Sequence, residues 1–407
     1  MTPSDSNQST VTRKLPLPVL LFAAVSLLNE ISAQMVAPLI PILLATVLAA
    51  GPIAIGAVEG IADAVAAFLK LWSGRHADVR PQHRKALVFA GYGLALAARP
   101  LIGLAGNWGV VIALRAADRL GKGLRGAPRD AILADATPTN MRGRAYGLNR
   151  GMDYAGAVLG SLIAAAVLAW SDMSIQNVIM LSVLPGIAVL VLLAVLPNLA
   201  TAAQIEDAKR AQRTPLRWST LSPTLRGYLK VLALFCFAKA SEAFILLRGH
   251  ELGMSTVSLL LLWAWLAALQ SIVALAGAST TDRVSKRRLT LLNWTLLSMG
   301  YAALAWAPTV GGLWIAVSIY GVLSGISEGV ERSLVSELAG SAGKGTTFGW
   351  YYMITGFAAI PAGLLFGAVW TLSGPTAAFG MTAALALVSA LWLRLSLPSA
   401  EPTAVKD

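Results

Sequence analysis

The 407-residue chain has a single cysteine, Cys236, and three histidines, His76, His83 and His250. One cysteine cannot close an internal disulfide and leaves the redox compartment unassigned. Histidines scattered over two loops build no metal cage, so neither a metal nor an organic cofactor is expected. Charge is scarce as well. Asp, Glu, Lys and Arg make up 13% of the residues, against about 25% in a soluble protein. Also missing are Gly-x-x-x-x-Gly-Lys-Ser/Thr, which cradles nucleotide phosphates, and a His/Glu metal motif or a nucleophile elbow, which would mark an enzyme. ATP-driven work and catalysis are therefore not expected. The polar N-terminal stretch and the tail after Leu397 are too short to be domains, which argues against a sensor with a soluble signalling module.

What is present is apolar. Hydrophobic residues make up 56% of the chain, in runs near the roughly 20 residues that cross a bilayer. Barrel strands would be about 10 residues long and alternate in polarity, which these runs do not. The chain is expected to be an all-α polytopic membrane protein with twelve transmembrane helices, near 17–44, 53–73, 86–105, 108–132, 146–170, 175–196, 227–248, 256–278, 289–307, 311–338, 347–371 and 375–396. Gly51-Pro52, Gly106-Asn107, Pro197-Asn198, Pro308 and Gly374-Pro375 mark breaks. The first run is too long for a signal-peptide core and more spans follow it, so it is expected to stay in place.

The charge is lopsided, with 32 Lys and Arg against 20 Asp and Glu and a net +12. In a soluble domain that would suggest nucleic acid. Here the surplus gathers in every second connection, near 74–85, 133–145, 197–226, 279–288 and 339–346, while the alternate connections hold no Lys or Arg beyond Arg248 at one edge. Basic loops stay in the cytoplasm. Both termini are thus expected there, with the bilayer rather than nucleic acid as partner. A monomer is expected.

One stretch stands out. Residues 107–147, NWGVVIALRAADRLGKGLRGAPRDAILADATPTNMRGRAYG, begin as an apolar helix and then fill with charge. At helical spacing Arg115, Arg119, Lys122, Gly126 and Arg129 share one broad face, apart from Val111, Leu114 and Leu124. A charged face on a membrane helix has to look into protein or into a water-filled cavity. At about 1.5 Å per residue, Asp118 and Arg119 fall near the midplane of a core about 30 Å thick. This helix is expected to wall a polar pathway.

The chain also repeats itself. Gly74, Asp78, Arg84 and Lys85 follow the second span, and Asp282-Arg283 with Arg287-Arg288 follow the eighth. RDAILADATPTNMRGRAYG (129–147) aligns with RSLVSELAGSAGKGTTFG (332–349) with one residue deleted, so that Arg129 falls on Arg332. The expected units are a six-helix bundle over 1–196, a cytoplasmic linker over 197–226 and a second six-helix bundle over 227–407. Such a repeat is the trace of a rocking transporter with its site between the halves.

These segments carry a resemblance to the major facilitator superfamily. SGRHADVRPQHRKAL (73–87) is similar to the family's Gly-x-x-x-Asp-(Arg)-x-Gly-Arg-Lys loop, matched by Gly74, Asp78, Arg84 and Lys85, with Val79 and Pro81-Gln82 as departures. LRAADRLGKG (114–123) looks like the fourth-helix motif of drug/proton antiporter branches, with Arg115 in the position of the coupling arginine and Asp118 replacing the usual Gln. GMDYAGAVLG (151–160) is a loose match to the fifth-helix antiporter motif, since Gly156-Ala157 stands for Gly-Pro. VEGIADAVAAFLKLWSG with GKGLRGAPRDAILAD resembles a bacterial branch whose substrates are mostly unassigned.

The resemblance implies two pseudo-symmetric bundles whose first, fourth, seventh and tenth helices face a central cavity. The substrate candidates are then Asn29, Gln34, Arg119, Lys122, Lys239, Ser241, Glu242, Tyr320, Ser324 and Glu328, joined from the second helix by Glu59 and Asp63, one turn apart. Glu30, Asp118 and Arg115 are the proton-coupling candidates, with Glu30 first. A carboxyl changes its proton affinity with burial and with the approach of an arginine, so alternating that distance would load and release a proton. The bland counterpart for Glu30 is a fixed ion pair with Arg115 or Arg119, and for Glu59 and Asp63 a buried contact with the eleventh helix. Asn149, Arg150 and Asp153 are expected to pair with the fourth or eighth helix. Gly74, Asp78, Arg84, Arg129, Asp135, Arg332 and Glu337 are expected to form a gate in which opposite charges of the two halves latch. The expected function is secondary transport by alternating access, as proton-coupled export of a small organic compound. An organic-anion or phosphorylated-metabolite carrier is the alternative, motivated by the basic excess on the fourth helix.

Overall fold

A computed structural model describes residues 15–138, 141–195, 217–239, 241–277, 285–325, 327–339 and 344–396. The α-helices among them are α1 (Leu17–Val36), α2 (Leu39–Thr46), α3 (Pro52–Val79), α4 (Arg84–Leu101), α5 (Trp108–Asp135), α6 (Arg142–Trp170), α7 (Ile175–Leu181), α8 (Val183–Ala194), α9 (Pro223–Ala238), α10 (Ala243–Glu251), α11 (Thr256–Gly277), α12 (Lys286–Ala305), α13 (Val310–Ser324), α14 (Ser327–Glu337) and α15 (Lys344–Ser396). No strand occurs among the described residues.

These helices build twelve spans. α1 with α2 forms the first, α7 with α8 the sixth, α9 with α10 the seventh and α13 with α14 the tenth. α15 contributes the eleventh and twelfth, because Gly374 adopts a φ of 83° and turns the chain before Pro375. A side chain would be strained there, and glycine is not. Helix starts follow local chemistry. Asn107, Ser174, Ser222 and Thr309 cap α5, α7, α9 and α13 through side-chain oxygens that accept a backbone N–H, which satisfies one of the open donors at each helix start. Proline in the first turn opens α1, α3 and α9.

By length and apolarity alone, seven helical stretches among the described residues qualify as spans, one of them long enough to hold the last two. The fourth, seventh, ninth and tenth escape that criterion. Charge interrupts α5, basic residues open α12, and the seventh and tenth spans are broken into short helices. The seventh span begins at Pro223, inside the segment expected to be linker, while 197–216 lies outside the described residues.

The bundles meet tightly on the face opposite the basic connections. The second span runs against the eleventh with glycine on both sides. The Cβ of any side chain at Gly56 would collide with the carbonyl of Gly363, and one at Gly60 would lie 2.7 Å from the carbonyl oxygen of Ala359. α2 packs on α10 across the same face. A continuous apolar core joins Leu39, Ile40 and Leu43 of the first half to Phe244, Leu247 and Phe366 of the second. Towards the basic face a separate apolar cluster, including Phe22, Tyr92, Ile132 and Leu193, belongs to the first half alone. Leu20, Phe68, Phe89, Ile187, Val191, Ile272, Ile315 and Leu391 point outward and exposed, as a lipid-facing surface requires.

Candidate functional site

Between the bundles lies a cavity of about 610 Å³. The first half lines it with Lys70, Arg99, Arg115, Arg119, Lys122 and Arg125, against Glu30, Glu59, Asp63 and Asp118. The second half adds Lys239 and Arg332 against Glu242. The wall is therefore rich in ions of both signs and carries an excess of cations.

The helical spacing on α5 places its charges where neighbours can answer them. Arg115 makes a two-pronged contact with Glu59, each N···O distance 3.2 Å. Asp118 sits between Arg99, at 2.8 Å, and Arg115, at 3.6 Å. Arg99 also donates from Nη1 to the backbone oxygen and to Oδ1 of Asn29, both at 3.1 Å. Arg125 donates to the same Asn29 Oδ1 at 3.3 Å and lies over the Tyr92 ring at 4.4 Å. The result is an alternating chain, Arg99–Asp118–Arg115–Glu59, with Arg119 at its end 3.9 Å from Glu59. It ties the first four spans together. Each ion costs several kcal/mol to desolvate, and its partner offsets that cost only when geometry and hydrogen bonds are good.

Other polar groups of this half stand beside the chain or at its loose end. Glu30 accepts a hydrogen bond from Gln34 Nε2 at 3.0 Å and forms no ion pair among the described residues. Lys122, Arg99 and Arg125 bear on it, and it lies within the field of Arg119 as well. Asp63 and Lys122 open into the cavity. Arg119 Nε is buried without a partner. Gln34 Oε1 accepts from Trp263 Nε1 at 2.9 Å, which bridges the two halves.

The second half answers with a helix break. The seventh span loses its helix between Ala238 and Ala243, and Lys239, Ser241 and Glu242 occupy the gap. Lys239 reaches Glu331 at 2.8 Å. Glu242 Oε1 accepts from Gln270 Nε2 at 2.6 Å and from the Tyr320 hydroxyl at 3.3 Å. Gln270 also donates to Ser324 Oγ at 3.0 Å, and the Tyr301 ring lies 5.4 Å from that of Tyr320. Discontinuous helices of this kind place polar backbone and side chains at mid-membrane sites.

The expected gate residues sit differently. Arg84 pairs with Asp135 at 2.7 Å and donates to the Ala77 carbonyl oxygen, so it joins the second and fourth spans within one half instead of bridging the two. Gly74 lies beside Ala127 of α5. Arg129 turns to Ser26, Asp130 and Asp153, again within the first half. Arg332 lines the cavity and Glu337 is exposed. The side chains of Asp78 and Glu328 lie outside the described residues. In the fifth span Asn149 accepts from Ser26 of the first span, not from the fourth or eighth, whereas Asp153 does meet the fourth through Arg129. Arg150 lies over the Tyr154 ring.

Sequence reasoning missed Arg99, Gln270, Tyr301 and Glu331. Arg99 had a usable signal, because a lone arginine within an apolar span is rarely idle. Glu331 stands one turn after the chosen Glu328, and only the rotation of α14 decides between them.

Comparison with known proteins agrees with this arrangement. The sequence profile of the Major Facilitator Superfamily matches residues 22–363. An uncharacterized MFS-type transporter of Methanocaldococcus jannaschii is 25% identical over 387 residues, covering 94% of this chain and 95% of that one. An uncharacterized protein of Mycobacterium tuberculosis is 28% identical over 394 residues, covering 95% and 94%. The crystal structure of a nucleoside transporter superposes with a TM-score of 0.75 at 13% identity, over 94% of this chain and 100% of the other. At that identity the likeness speaks for the fold alone.

Proposed function

The chain belongs to the major facilitator superfamily, and from that premise we propose that this transporter works by alternating access and exports a small organic compound in exchange for protons. The first six spans and the last six, which begin at Pro223, rock about the cavity, with 197–222 as tether. The protein sits as a monomer in the bacterial inner membrane with both termini in the cytoplasm. The observation that carries this reading is the state of the ions in the cavity. Asp118 and Glu59 are each held by arginine and serve as struts, with Arg115 as the shared clasp. Among the described residues Glu30 has only the neutral Gln34 as hydrogen-bond partner, and it stands open to Lys122 across the wall. It is the carboxyl best placed to exchange a proton as the halves move. The gate is carried by the second and eleventh spans on the outer face, and on the inner face by Arg332 and the ends of α3 and α4, which Arg84 and Arg129 brace from within the first half.

The cation excess adds a second reading, an organic-anion or phosphorylated-metabolite carrier. The two readings combine. Exporting an anion while importing a proton moves positive charge inward twice, and each charge gains about 2.3 kcal/mol per 100 mV of inside-negative potential. Uptake of the same anion would work against that potential. Glu30→Gln is expected to abolish flux driven by a pH gradient in proteoliposomes while the protein stays folded, and normal coupling in that variant refutes the assignment. A thermal-shift screen against acids, sugar phosphates and tetraphenylphosphonium at two pH values separates anionic from cationic cargo.

A further inference from the structure

We propose that the cavity is built for an aromatic organic anion that carries a hydrogen-bond donor at the end remote from its charge. The anionic group sits on Arg119 and Lys122, the ring against Tyr301 and Tyr320, and the distal donor on Glu242. The inference rests on the anionic-cargo reading above and gives it a chemical class.

The head site follows from which cations are left over. Arg99, Arg115 and Arg125 are consumed by Asp118, Glu59, Asn29 and the Tyr92 ring. Arg119 is not. Its approach to Glu59 is a loose 3.9 Å, and its Nε is buried with no partner. Lys122 lies one turn further along the same face, exposed to the cavity, and makes no hydrogen bond or ion pair among the described residues. Two cationic donors on one face, one with an unanswered N–H, favour a charge-assisted contact with an oxyanion. Asp63, on the same wall and within the field of Arg119, offsets only part of that charge, since this half contributes six cations against four carboxylates to the lining.

The opposite wall is of another kind. Tyr301 and Tyr320 pair their rings at 5.4 Å with 46° between planes, and Trp263 also lines the cavity. This wall favours a flat apolar body. Within it Glu242 has no cation beside it among the described residues. Both of its donors, Gln270 and Tyr320, are neutral and both reach Oε1. Oε2 accepts nothing from the described residues and remains for a donor brought by the cargo, a hydroxyl or an amine. A volume of about 610 Å³ falls in the range of about 300–1,000 Å³ typical of small-molecule sites.

The test is equilibrium binding to the purified full-length protein, followed by tryptophan fluorescence and by thermal shift. The probes are para-coumarate, cinnamate, hexanoate, inorganic phosphate and tetraphenylphosphonium. Para-coumarate is expected to bind tightest, about tenfold above cinnamate, the equivalent of one hydrogen bond, and further above hexanoate and phosphate. Glu242→Gln should shrink the gap between para-coumarate and cinnamate, and Arg119→Gln should weaken both. Equal binding of para-coumarate and cinnamate by the unaltered protein overturns the contact with Glu242. Hexanoate or phosphate binding as well as the aromatic acids overturns the class while leaving an anionic cargo standing. Binding of tetraphenylphosphonium and of no anion overturns the anionic reading itself. The comparison among probes needs no variant, so a misfolded substitution cannot decide it.

Discussion

Whether a charge inside this membrane protein holds structure together or remains available is decided by what its neighbours can reach. Arg99 and Asp118 are both about 3% exposed and 2.8 Å apart. Removing one leaves the other charged, dry and unmatched, whereas removing both leaves an apolar contact. Arg99→Leu alone is expected to destabilise the protein by about 3–5 kcal/mol, and Arg99→Leu with Asp118→Leu to recover much of that loss. Denaturant unfolding in detergent micelles measures the difference. Glu30 and Lys122 lie in the same cavity but have no such lock, which is why they are assigned to transport and not to support. The stripe Arg115, Arg119, Lys122 and Arg129 was legible from spacing on α5. Which carboxyl each meets was not. Arg115 takes Glu59 from the second span rather than Glu30 from the first, because a helix face admits several neighbours and only packing selects one.

Glycine and broken helices set the behaviour of the elements. The second and eleventh spans approach so closely at Gly56, Gly60 and Gly363 that a Cβ would strike the facing backbone. Gly56→Leu is expected to push these spans apart on the outer face, with transport lost and a cysteine placed at Ile53 becoming more reactive to a membrane-impermeant maleimide. Unchanged reactivity at full expression would show that this contact does not seal the outer side. The turn at Gly374-Pro375 was legible because its residues announce it. The break at Lys239–Glu242 was not, since Lys-Ala-Ser-Glu carries no proline or glycine. Side chains of the gap find partners on other spans, where Lys239 reaches Glu331 and Glu242 reaches Gln270.

Two bundles joined on one face and parted by a charged hollow define the whole molecule. If rocking of the halves is the mechanism, a covalent tie across them should stop it. A Cβ on Gly356 would lie 2.7 Å from the Cβ of Ala67, against about 3.8 Å in a disulfide, so the pair needs only about an ångström of relief. In a protein with Ala67→Cys and Gly356→Cys, oxidation is expected to halt transport and reduction to restore it. Undiminished flux after complete crosslinking contradicts rocking about this contact.

At this scale the division between sequence and fold is plain. An all-helical membrane protein with twelve spans, repeated halves and a polar stripe on the fourth span could be read from the order of residues. Those follow from hydropathy, helical period and the cost of charge in lipid, which act residue by residue along the chain. Packing between distant segments decides that Arg99 completes the ion chain, that Arg84 latches within one half, that Glu331 meets Lys239 at the break in the seventh span and that, among the described residues, Glu242 faces only neutral donors. Those depend on how each helix is rotated and how near its neighbours come, and that is settled by side chains far apart in sequence packing against one another.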